Sequence, residues 1–284
     1  MIIWLASYPK SGNTWLRLFI SSILFSSDGN ANFEDIKKID QYPRRKFFYG
    51  LISNFEDIHE IKKNWIASQD LINLDNKIKI LKTHHMHCEV DNYSFTNNDN
   101  TLGAIYVVRD PRNVITSIMH HFHKSSYKEA KESIFDEKKL IGGKKDNDKM
   151  LTITGSWKTN YLSWKKIKKN FLLIKYENLI SNPKNEFNKI VQYLQNLMNI
   201  EIDKKKIEKA INSTSFENLS ELETKHGFEE SVVDKKTGKN KKFFNLGPSN
   251  DWKKLLDNET INEIEEKFNF EMKELGYLYE TKFR

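Results

Sequence analysis

Four short apolar runs, each about the length of a strand, recur along the chain. They are Met1 to Ser7 (MIIWLAS), Lys77 to Thr83 (KIKILKT), Gly103 to Asp110 (GAIYVVRD) and Asn170 to Glu177 (NFLLIKYE). Each is rich in Ile, Val, Leu or aromatic residues, a composition typical of parallel strands covered on both faces. A polar turn follows each run, and in most cases a helical pattern follows the turn. The pattern predicts an α/β fold with a central parallel sheet flanked by helices.

Amphipathic patterns predict the flanking helices. The first follows the first run, over residues 14–25 (TWLRLFISSILF). A second begins at Pro111, with Asp110 as its N-cap, because proline suits the first helical position. Others cover TGSWKTNYLSWKKIKKN, NPKNEFNKIVQYLQNLM and NETINEIEEKFNFEMKELGY. No Pro-rich or Gly/Ser-rich linker interrupts the series, so residues 1–284 are expected to form one domain.

Two charged segments interrupt the pattern, residues 124–150 with IGGKKDNDK and residues 220–242 with ETKHGFEESVVDKKTGKNKK. Both contain glycine and little apolar periodicity, which predicts long loops. Long loops in compact domains are either functional lids or disordered insertions. The sequence leaves both readings open.

The composition narrows the class of partner. The chain has 284 residues, 38% of them hydrophobic, and a formal net charge of +7. This excess fits an anionic ligand as well as lysine-rich solvated faces. No nucleic-acid module is recognisable and no basic stretch is ordered around stacking aromatics, so nucleic acid is not expected as a partner.

Three features predict a cytoplasmic location. Cys88 is the only cysteine, so no intrachain disulfide can form, which fits a reducing compartment. The N-terminal run lacks the basic lead and the small-residue cleavage site of a signal peptide. The segment LRLFISSILF is too short and too polar to span a bilayer, which takes about 20 apolar residues. We therefore expect a cytoplasmic protein without a transmembrane segment.

The turn after the first run, in SYPKSGNTW, has the composition of an anion cradle. Backbone N–H groups of the loop and the N-terminus of the following helix point at one hollow. Lys10 adds a full charge, and Ser11, Asn13 and Thr14 add side-chain donors. The lysine precedes the glycine, so this is not the G-K-[ST] loop of nucleotide triphosphatases.

The spacing YPKSGNTW resembles the 5′-phosphosulfate loop of the sulfotransferase family, whose usual form is Y-P-K-S-G-T-T-W. Members of that family move a sulfuryl group from 3′-phosphoadenosine-5′-phosphosulfate (PAPS) to an acceptor and release 3′-phosphoadenosine 5′-phosphate (PAP), and no metal ion need be bound. The resemblance implies that the donor contacts Lys10, Ser11, Gly12, Asn13 and Thr14, and that Trp15 packs on adenine.

A second stretch, YVVRDPRNVITSIMHHF, resembles the family's 3′-phosphate motif, a strand ending in Arg with a Ser eight residues later on a helix. The resemblance implies that Arg109 and Ser117 hold the 3′-phosphate. Arg109 leaves its strand at the carboxyl end, where ligands of such sheets bind and where a guanidinium can fork onto phosphate. The alternative is that Arg109 pairs with a local acid such as Asp110.

The segment ILKTHHMH resembles the family's K-T-H segment, in which the histidine is the catalytic base. His84 would then take the acceptor proton, which suits an imidazole near neutral pH. Lys82, with Lys10, would neutralise charge on the transferring sulfuryl group. The alternative is a metal site in HHMH, but no carboxylate or cysteine cluster accompanies it in a recognisable ligand spacing, so no metal is expected.

Three further segments carry the resemblance towards the C-terminus. LLIKYENL and STSFENL resemble adenine-binding segments, which implies roles for Tyr176, Thr214 and Phe216, although core packing would also account for them. FNLGPSNDWKK aligns with the family's R-K-G-x-x-G-D-W, but Asn245 and Leu246 replace the Arg-Lys pair before Gly247. Asn245 supplies no charge to a 3′-phosphate. Lysines of the adjoining loop could compensate, namely Lys239, Lys241 or Lys242.

The resemblance spans residues 3 to about 260 and implies a P-loop-like three-layer fold and a PAPS-dependent sulfotransferase. One alternative is a Mg²⁺-dependent nucleotide or small-molecule kinase, disfavoured by the missing G-K-[ST] order and the lack of an evident metal-binding acid. Another is a catalytically inactive nucleotide-binding module. The acceptor would be a small molecule, a glycan or a lipid with a hydroxyl or amine. Aromatics in QYPRRKFFYG (41–50) suggest a partly apolar one.

Overall fold

The four apolar runs form one sheet. The computed structural model describes residues 1–122, 126–143, 148–233 and 240–278. Its strands, in chain order, are β1 (Ile2–Ser7), β2 (Lys79–Thr83), β3 (Glu89–Val90), β4 (Tyr93–Ser94), β5 (Thr101–Val108), β6 (Leu140–Ile141), β7 (Thr152–Ile153), β8 (Phe171–Lys175), β9 (Val232–Val233) and β10 (Asn240–Lys241). The central sheet has the order β2-β1-β5-β8, and every pairing in it is parallel. The predicted parallel sheet is confirmed.

The five helices that the sequence predicts are present, the last of them divided into two, and further helices that it did not predict lie between them. They are α1 (Asn13–Leu24), α2 (Ile58–Lys63), α3 (Trp65–Asn73), α4 (Pro111–His121), α5 (Tyr127–Phe135), α6 (Trp157–Lys165), α7 (Tyr176–Ser181), α8 (Pro183–Met198), α9 (Lys204–Ser213), α10 (Phe216–His226), α11 (Trp252–Leu255), α12 (Asn258–Lys267) and α13 (Asn269–Glu274). Asp110 caps α4 as predicted, since its carboxylate accepts from the backbone N–H of Arg112 at 2.9 Å.

Successive side chains of each strand point to opposite faces of the sheet, and both faces are covered. Trp4 and Tyr106 pack in one core with side chains of α4, α6 and α12. Leu5 and Ile105 pack in the other core with side chains of α1, α8 and α9. Two helical layers therefore enclose the sheet, and the predicted three-layer architecture is confirmed.

The two charged segments contain more regular structure than their composition predicts. Residues 124–150 include α5 and β6, which pairs with β7 just beyond the segment, and α5 buries Ala130 and Ile134. Residues 220–242 begin inside α10 and include the pair β9–β10. Residues 124–125, 144–147 and 234–239 of the two segments lie outside the described part of the chain. The prediction of long loops was therefore wrong for the helical parts. A helix as short as α5 buries too few apolar side chains for a helical repeat to be visible in the sequence.

His85 is buried in the core that contains Trp4. Its ring stacks on Phe95 with centroids 4.3 Å apart and meets Trp65 edge-on at 4.7 Å. Its Nδ1 donates to the carbonyl oxygen of Met86 at 2.7 Å. Burial lowers the pKa of His85 to about 4, because the charged form loses its hydration there.

Arg112 joins α4 to the C-terminal helices. Its guanidinium pairs with Asp110 at 2.6 Å and with Glu265 of α12. It also donates to the backbone oxygen of Tyr277 at 3.0 Å and lies 3.8 Å above the ring of Trp252. One buried side chain thus connects the first turn of α4 to three later segments.

We expect Arg112→Ala to destabilise the protein by about 3–5 kcal/mol, because Asp110 would stay buried without its cation. Urea unfolding at pH 7 measures this change. Lys253→Ala is the matched control, since Lys253 lies over the same Trp252 ring at 5.6 Å but is exposed. Equal losses in the two variants would contradict the structural role given to Arg112.

We expect His85 to make stability fall as the pH is lowered. The unfolded chain binds a proton on this histidine near pH 6.5, whereas the folded chain does so only near pH 4. The stabilisation is therefore complete above pH 6.5 and lost as the pH falls towards 4, about 2 kcal/mol of it between pH 7 and 5. Urea unfolding at both pH values should show a shallower pH dependence for His85→Asn than for the wild type, and equal slopes would refute the assignment.

Candidate active site

The carboxyl ends of β1, β2, β5 and β8 open on one cavity of about 560 Å³, as expected for a parallel sheet. Fourteen of the sixteen residues that the sequence proposes lie on its wall. They are Lys10, Gly12, Asn13, Thr14, Trp15, Lys82, His84, Arg109, Ser117, Tyr176, Phe216, Asn245, Leu246 and Gly247. Ser11 and Thr214 are buried behind it. The motifs, far apart in the chain, therefore meet at one site.

The loop between β1 and α1 depends on a glycine. Gly12 adopts a left-handed conformation with φ of 103° and directly precedes the first residue of α1. A Cβ at this position would lie 2.5 Å from Cδ2 of Tyr176. Both the backbone angle and the close approach of the ring exclude a larger residue.

The side chains of Ser11 and Asn13 have different surroundings, and neither is a free donor at the cavity. The hydroxyl oxygen of Ser11 is buried without a hydrogen-bond partner within the described residues. The Asn13 amide donates to the carbonyl oxygen of Leu5 at 3.0 Å and to Ser7 Oγ at 3.2 Å. Asn13 therefore braces the loop against β1, which differs from the side-chain donor role expected of it.

Two lysines lie at one end of the cavity. The Nζ of Lys10 lies 4.4 Å above the ring of Phe243, and that of Lys82 lies 3.7 Å from Oε1 of Glu230. Burial lowers the pKa of Lys10 to about 7 and that of Lys82 to about 8, and the nearby charge of Glu230 opposes both shifts. A further anion would strengthen the protonated form of both lysines.

His84 follows β2 at the same end. Its Nδ1 lies 2.8 Å from the carbonyl oxygen of Ser7. A carbonyl oxygen can only accept, so Nδ1 carries the hydrogen and Nε2 keeps its lone pair. Burial, followed by the charge of Lys82, lowers the pKa of His84 to about 3. The ring is therefore neutral at pH 7, with a basic nitrogen available.

The neighbouring histidines do not form a metal site with His84. Each imidazole of HHMH bonds a different backbone carbonyl group: His84 that of Ser7, His85 that of Met86 and His87 that of Ser163. Within the described ranges, no group of three His, Cys, Asp or Glu side chains could hold a metal ion. In the same ranges, no helix is long and apolar enough to cross a membrane.

Arg109 lies beside the loop rather than beside Asp110, which pairs with Arg112 instead. Its guanidinium lies 4.1 Å above the ring of Tyr176 and donates to the carbonyl oxygen of Lys10 at 3.2 Å. The alternative in which Arg109 pairs with Asp110 is therefore wrong. A cation on the cavity wall remains, held by an aromatic face.

The C-terminal segment brings an uncharged residue to the wall near α4. The Asn245 amide donates to Nδ1 of His120 at 3.4 Å, and His120 lies one turn after Ser117. Lys241 and Lys242 are not on the cavity wall, and Lys242 donates to Thr224 Oγ1 at 3.0 Å. Lys239 lies outside the described residues. His120 therefore lies beside Asn245 on this wall, and no motif indicated it.

Of the four residues proposed to bind adenine, three lie on the cavity wall and one lies behind it. Trp15 meets Tyr176 edge-on, with 5.8 Å between centroids and 73° between planes. The indole N–H of Trp15 donates to the carbonyl oxygen of Thr214 at 2.7 Å, and the Thr214 hydroxyl donates to that of Ala210 at 2.6 Å. Thr214 therefore fixes Trp15 from behind, while Trp15, Tyr176 and Phe216 are on the wall.

The segment 41–50 contributes little aromatic surface to the site. Gln41 lies on the wall, but Tyr42 and Phe48 are fully buried in the core. Tyr49 is 63% exposed and is not on the wall. These aromatic residues therefore carry no information about the acceptor.

The sequence reasoning also missed an acid on the cavity wall and the arginine that pairs with it. Glu230 lies in the cavity, where its carboxylate pairs with Arg17 at 2.5 Å. Arg17 follows Thr14 by three residues on α1, so helical spacing could have placed it beside the loop. Nothing in the charged stretch around Glu230 marks this acid among its neighbours.

Similarity to known proteins extends over most of the chain. Residues 2–276 match the family model described as "Sulfotransferase domain". Cytosolic sulfotransferase 5 of Arabidopsis thaliana is 25% identical over 278 residues, covering 92% of this chain and 76% of that protein. Flavonol 3-sulfotransferase of Flaveria bidentis is 25% identical over 270 residues, covering 93% and 79%.

Solved structures share the fold. Mouse sulfotransferase SULT7A1, complexed with PAP, superposes with a TM-score of 0.58 at 21% identity, covering 97% of this chain and 86% of that one. Retinol dehydratase, in complex with androsterone and the inactive cofactor PAP, gives 0.57 at 17% identity, covering 100% and 82%. At these identities the likeness establishes the P-loop-like three-layer fold. Because the family model spans residues 2–276, the chain belongs to the sulfotransferase family.

Proposed function

We propose that this chain is a cytoplasmic, PAPS-dependent sulfotransferase in which residues 1–284 form one domain. The acceptor would be a small molecule, a glycan or a lipid with a hydroxyl or amine. The observation that carries this function is the neutral imidazole of His84 on the same cavity wall as Lys10 and Lys82. Relatives named as cytosolic and flavonol sulfotransferases, and neighbours solved with PAP, support it.

The residues present fit such a donor. Two buried cations on the cavity wall, Lys82 and Arg109, would gain a counter-charge from the phosphate groups of such a ligand. Lys10, Lys82 and Thr14 would hold the phosphosulfate end. Arg109 and Ser117 would hold the 3′-phosphate, for which a guanidinium is well suited.

The donor would supply a sulfuryl group, which passes in line from its phosphate oxygen to the acceptor. His84 Nε2 would take the acceptor proton as the new bond to sulfur forms. The carbonyl oxygen of Ser7 would keep the ring in the tautomer in which Nε2 is basic. Lys10 and Lys82 would stabilise the charge that develops on the departing phosphate. An anionic ligand nearby would raise the pKa of His84 and so make it a better base.

The 3′-phosphate assignment predicts that the protein binds PAP more tightly than AMP in calorimetry. We expect Arg109→Ala to weaken PAP binding about tenfold or more, because a charge-assisted hydrogen bond is worth about 1.5–3 kcal/mol. Ser117→Ala separates this contact from the bond between Arg109 and Lys10, and should weaken PAP binding while leaving AMP binding unchanged. Equal affinities of the wild type for PAP and AMP would refute the assignment.

The base assignment predicts that His84→Asn loses transfer but keeps PAP binding. Asparagine can still donate to the Ser7 carbonyl oxygen but cannot accept the proton, so the rate should fall by about 10²–10⁴. The measurement uses labelled PAPS with a panel of hydroxyl and amine acceptors, in EDTA because no metal is invoked.

His85→Asn is the matched control, since His85 points into the core and is not on the cavity wall. Its folded fraction should transfer normally. Loss of transfer in His85→Asn but not in His84→Asn would show that the wrong histidine was chosen. A wild type that binds PAP but transfers to none of the acceptors would favour an inactive nucleotide-binding module.

A further inference from the structure

Glu230 places a carboxylate among the cations of the cavity. Its Oε1 lies 2.5 Å from Nη1 of Arg17 and 3.7 Å from Nζ of Lys82. Its Oε2 accepts the hydroxyl hydrogen of Thr14 at 2.8 Å. An acidic side chain thus contacts two of the groups proposed to bind the donor's phosphosulfate.

Contacts of Arg17 and of Phe228 fix the position of Glu230. Arg17 is buried, and its Nη2 donates to the carbonyl oxygens of Ile36 and Ile39 at 3.2 and 3.0 Å. Phe228, two residues before Glu230, packs against Phe33 with 4.4 Å between ring centroids. The carboxylate is therefore held in place by an anchored arginine and an anchored backbone.

The adjacent acid is different. Glu229 pairs with Lys37 at 2.8 Å, and its side chain is 76% exposed. The Glu230 side chain is 29% exposed. Both acids border the cavity, but Glu230 is the one that contacts Thr14, Arg17 and Lys82, which makes Glu229 a matched control.

Glu230 and a donor phosphate compete for the same partners. A hydroxyl group has one hydrogen to donate, so Thr14 cannot serve the carboxylate and a phosphate oxygen together. Two negative groups at hydrogen-bond distance from the same donor also repel each other in a partly buried site. Although burial opposes it, the charges of Lys82 and Arg17 hold the pKa of Glu230 well below its usual range, so the acid is ionised at neutral pH.

We infer that Glu230 determines the affinity of the donor site: its carboxylate takes the place of the nucleotide 5′-phosphate in the free protein, and nucleotide binding exchanges one anion for the other. This inference rests on the proposed function, in which Thr14 and Lys82 contact the 5′-phosphosulfate. The exchange breaks the hydrogen bond from Thr14 to Glu230. After the product leaves, Glu230 returns and supplies the buried cations with a counter-charge.

Calorimetry of Glu230→Gln tests this exchange. Glutamine keeps an oxygen that can accept from Arg17 and has an NH₂ group that can donate to the Thr14 hydroxyl, but it removes the negative charge. We expect PAP to bind about tenfold more tightly to the variant than to the wild type. Adenosine 3′-phosphate, which lacks the 5′-phosphate, should bind both proteins equally. Glu229→Gln should bind both nucleotides as the wild type does.

Inorganic pyrophosphate separates the exchange from the nucleotide assignment, because it needs only the cationic end. Tighter pyrophosphate binding to Glu230→Gln supports the exchange, even if neither protein binds PAP, in which case the proposed function fails alone. Unchanged or weaker binding of both PAP and pyrophosphate overturns the exchange and leaves the proposed function standing. An equal gain for PAP and adenosine 3′-phosphate also overturns it, because Glu230 would then act on the whole site.

Discussion

The burial of β1 on both faces is the constraint on which this structure depends. Its side chains from Ile2 to Ser7 are all buried, with helices on either side of the sheet. A strand in that position has no room for ionisable groups, because a charge without hydration or a partner is costly there. Polar residues therefore collect where the strands end, and parallel pairing brings those ends to one edge. The site is a result of the same pattern that makes the sheet.

The cationic end of the cavity contains lysines that lose hydration when they are buried. Burial weakens the protonated forms of Lys10 and Lys82, and Glu230 offsets part of that cost. An anionic ligand would offset it further, since each new negative charge favours protonated lysine. Binding of a phosphate or sulfate group and full protonation of the lysines are thus linked equilibria. Protonation of His84 is linked to these equilibria too, because the charge of Lys82 lowers the pKa of His84.

Much of this organisation is legible in the sequence, for a physical reason. Near-continuous apolar runs identify buried parallel strands, and short motifs after each run indicate which side chains meet, so the sequence alone places His84, Arg109 and Tyr176 at one edge of the sheet. The direction of a side chain could not: Asn13 turns back to Leu5, and Thr214 fixes Trp15 from behind. Glu230 was invisible for another reason, since its position depends on the distant Arg17 and Phe33 and not on its neighbours in the chain.

The ring of Tyr176 contacts three parts of the site. It fills the space beside Gly12, supports the guanidinium of Arg109 from below and borders Trp15 edge-on. The loop proposed to hold the phosphosulfate and the arginine proposed to hold the 3′-phosphate therefore share one aromatic surface. A substitution at Tyr176 would disturb both together, so it could not isolate the contribution of this ring to nucleotide binding. The two ends of the binding site are mechanically one unit, and their affinities are not expected to be independent.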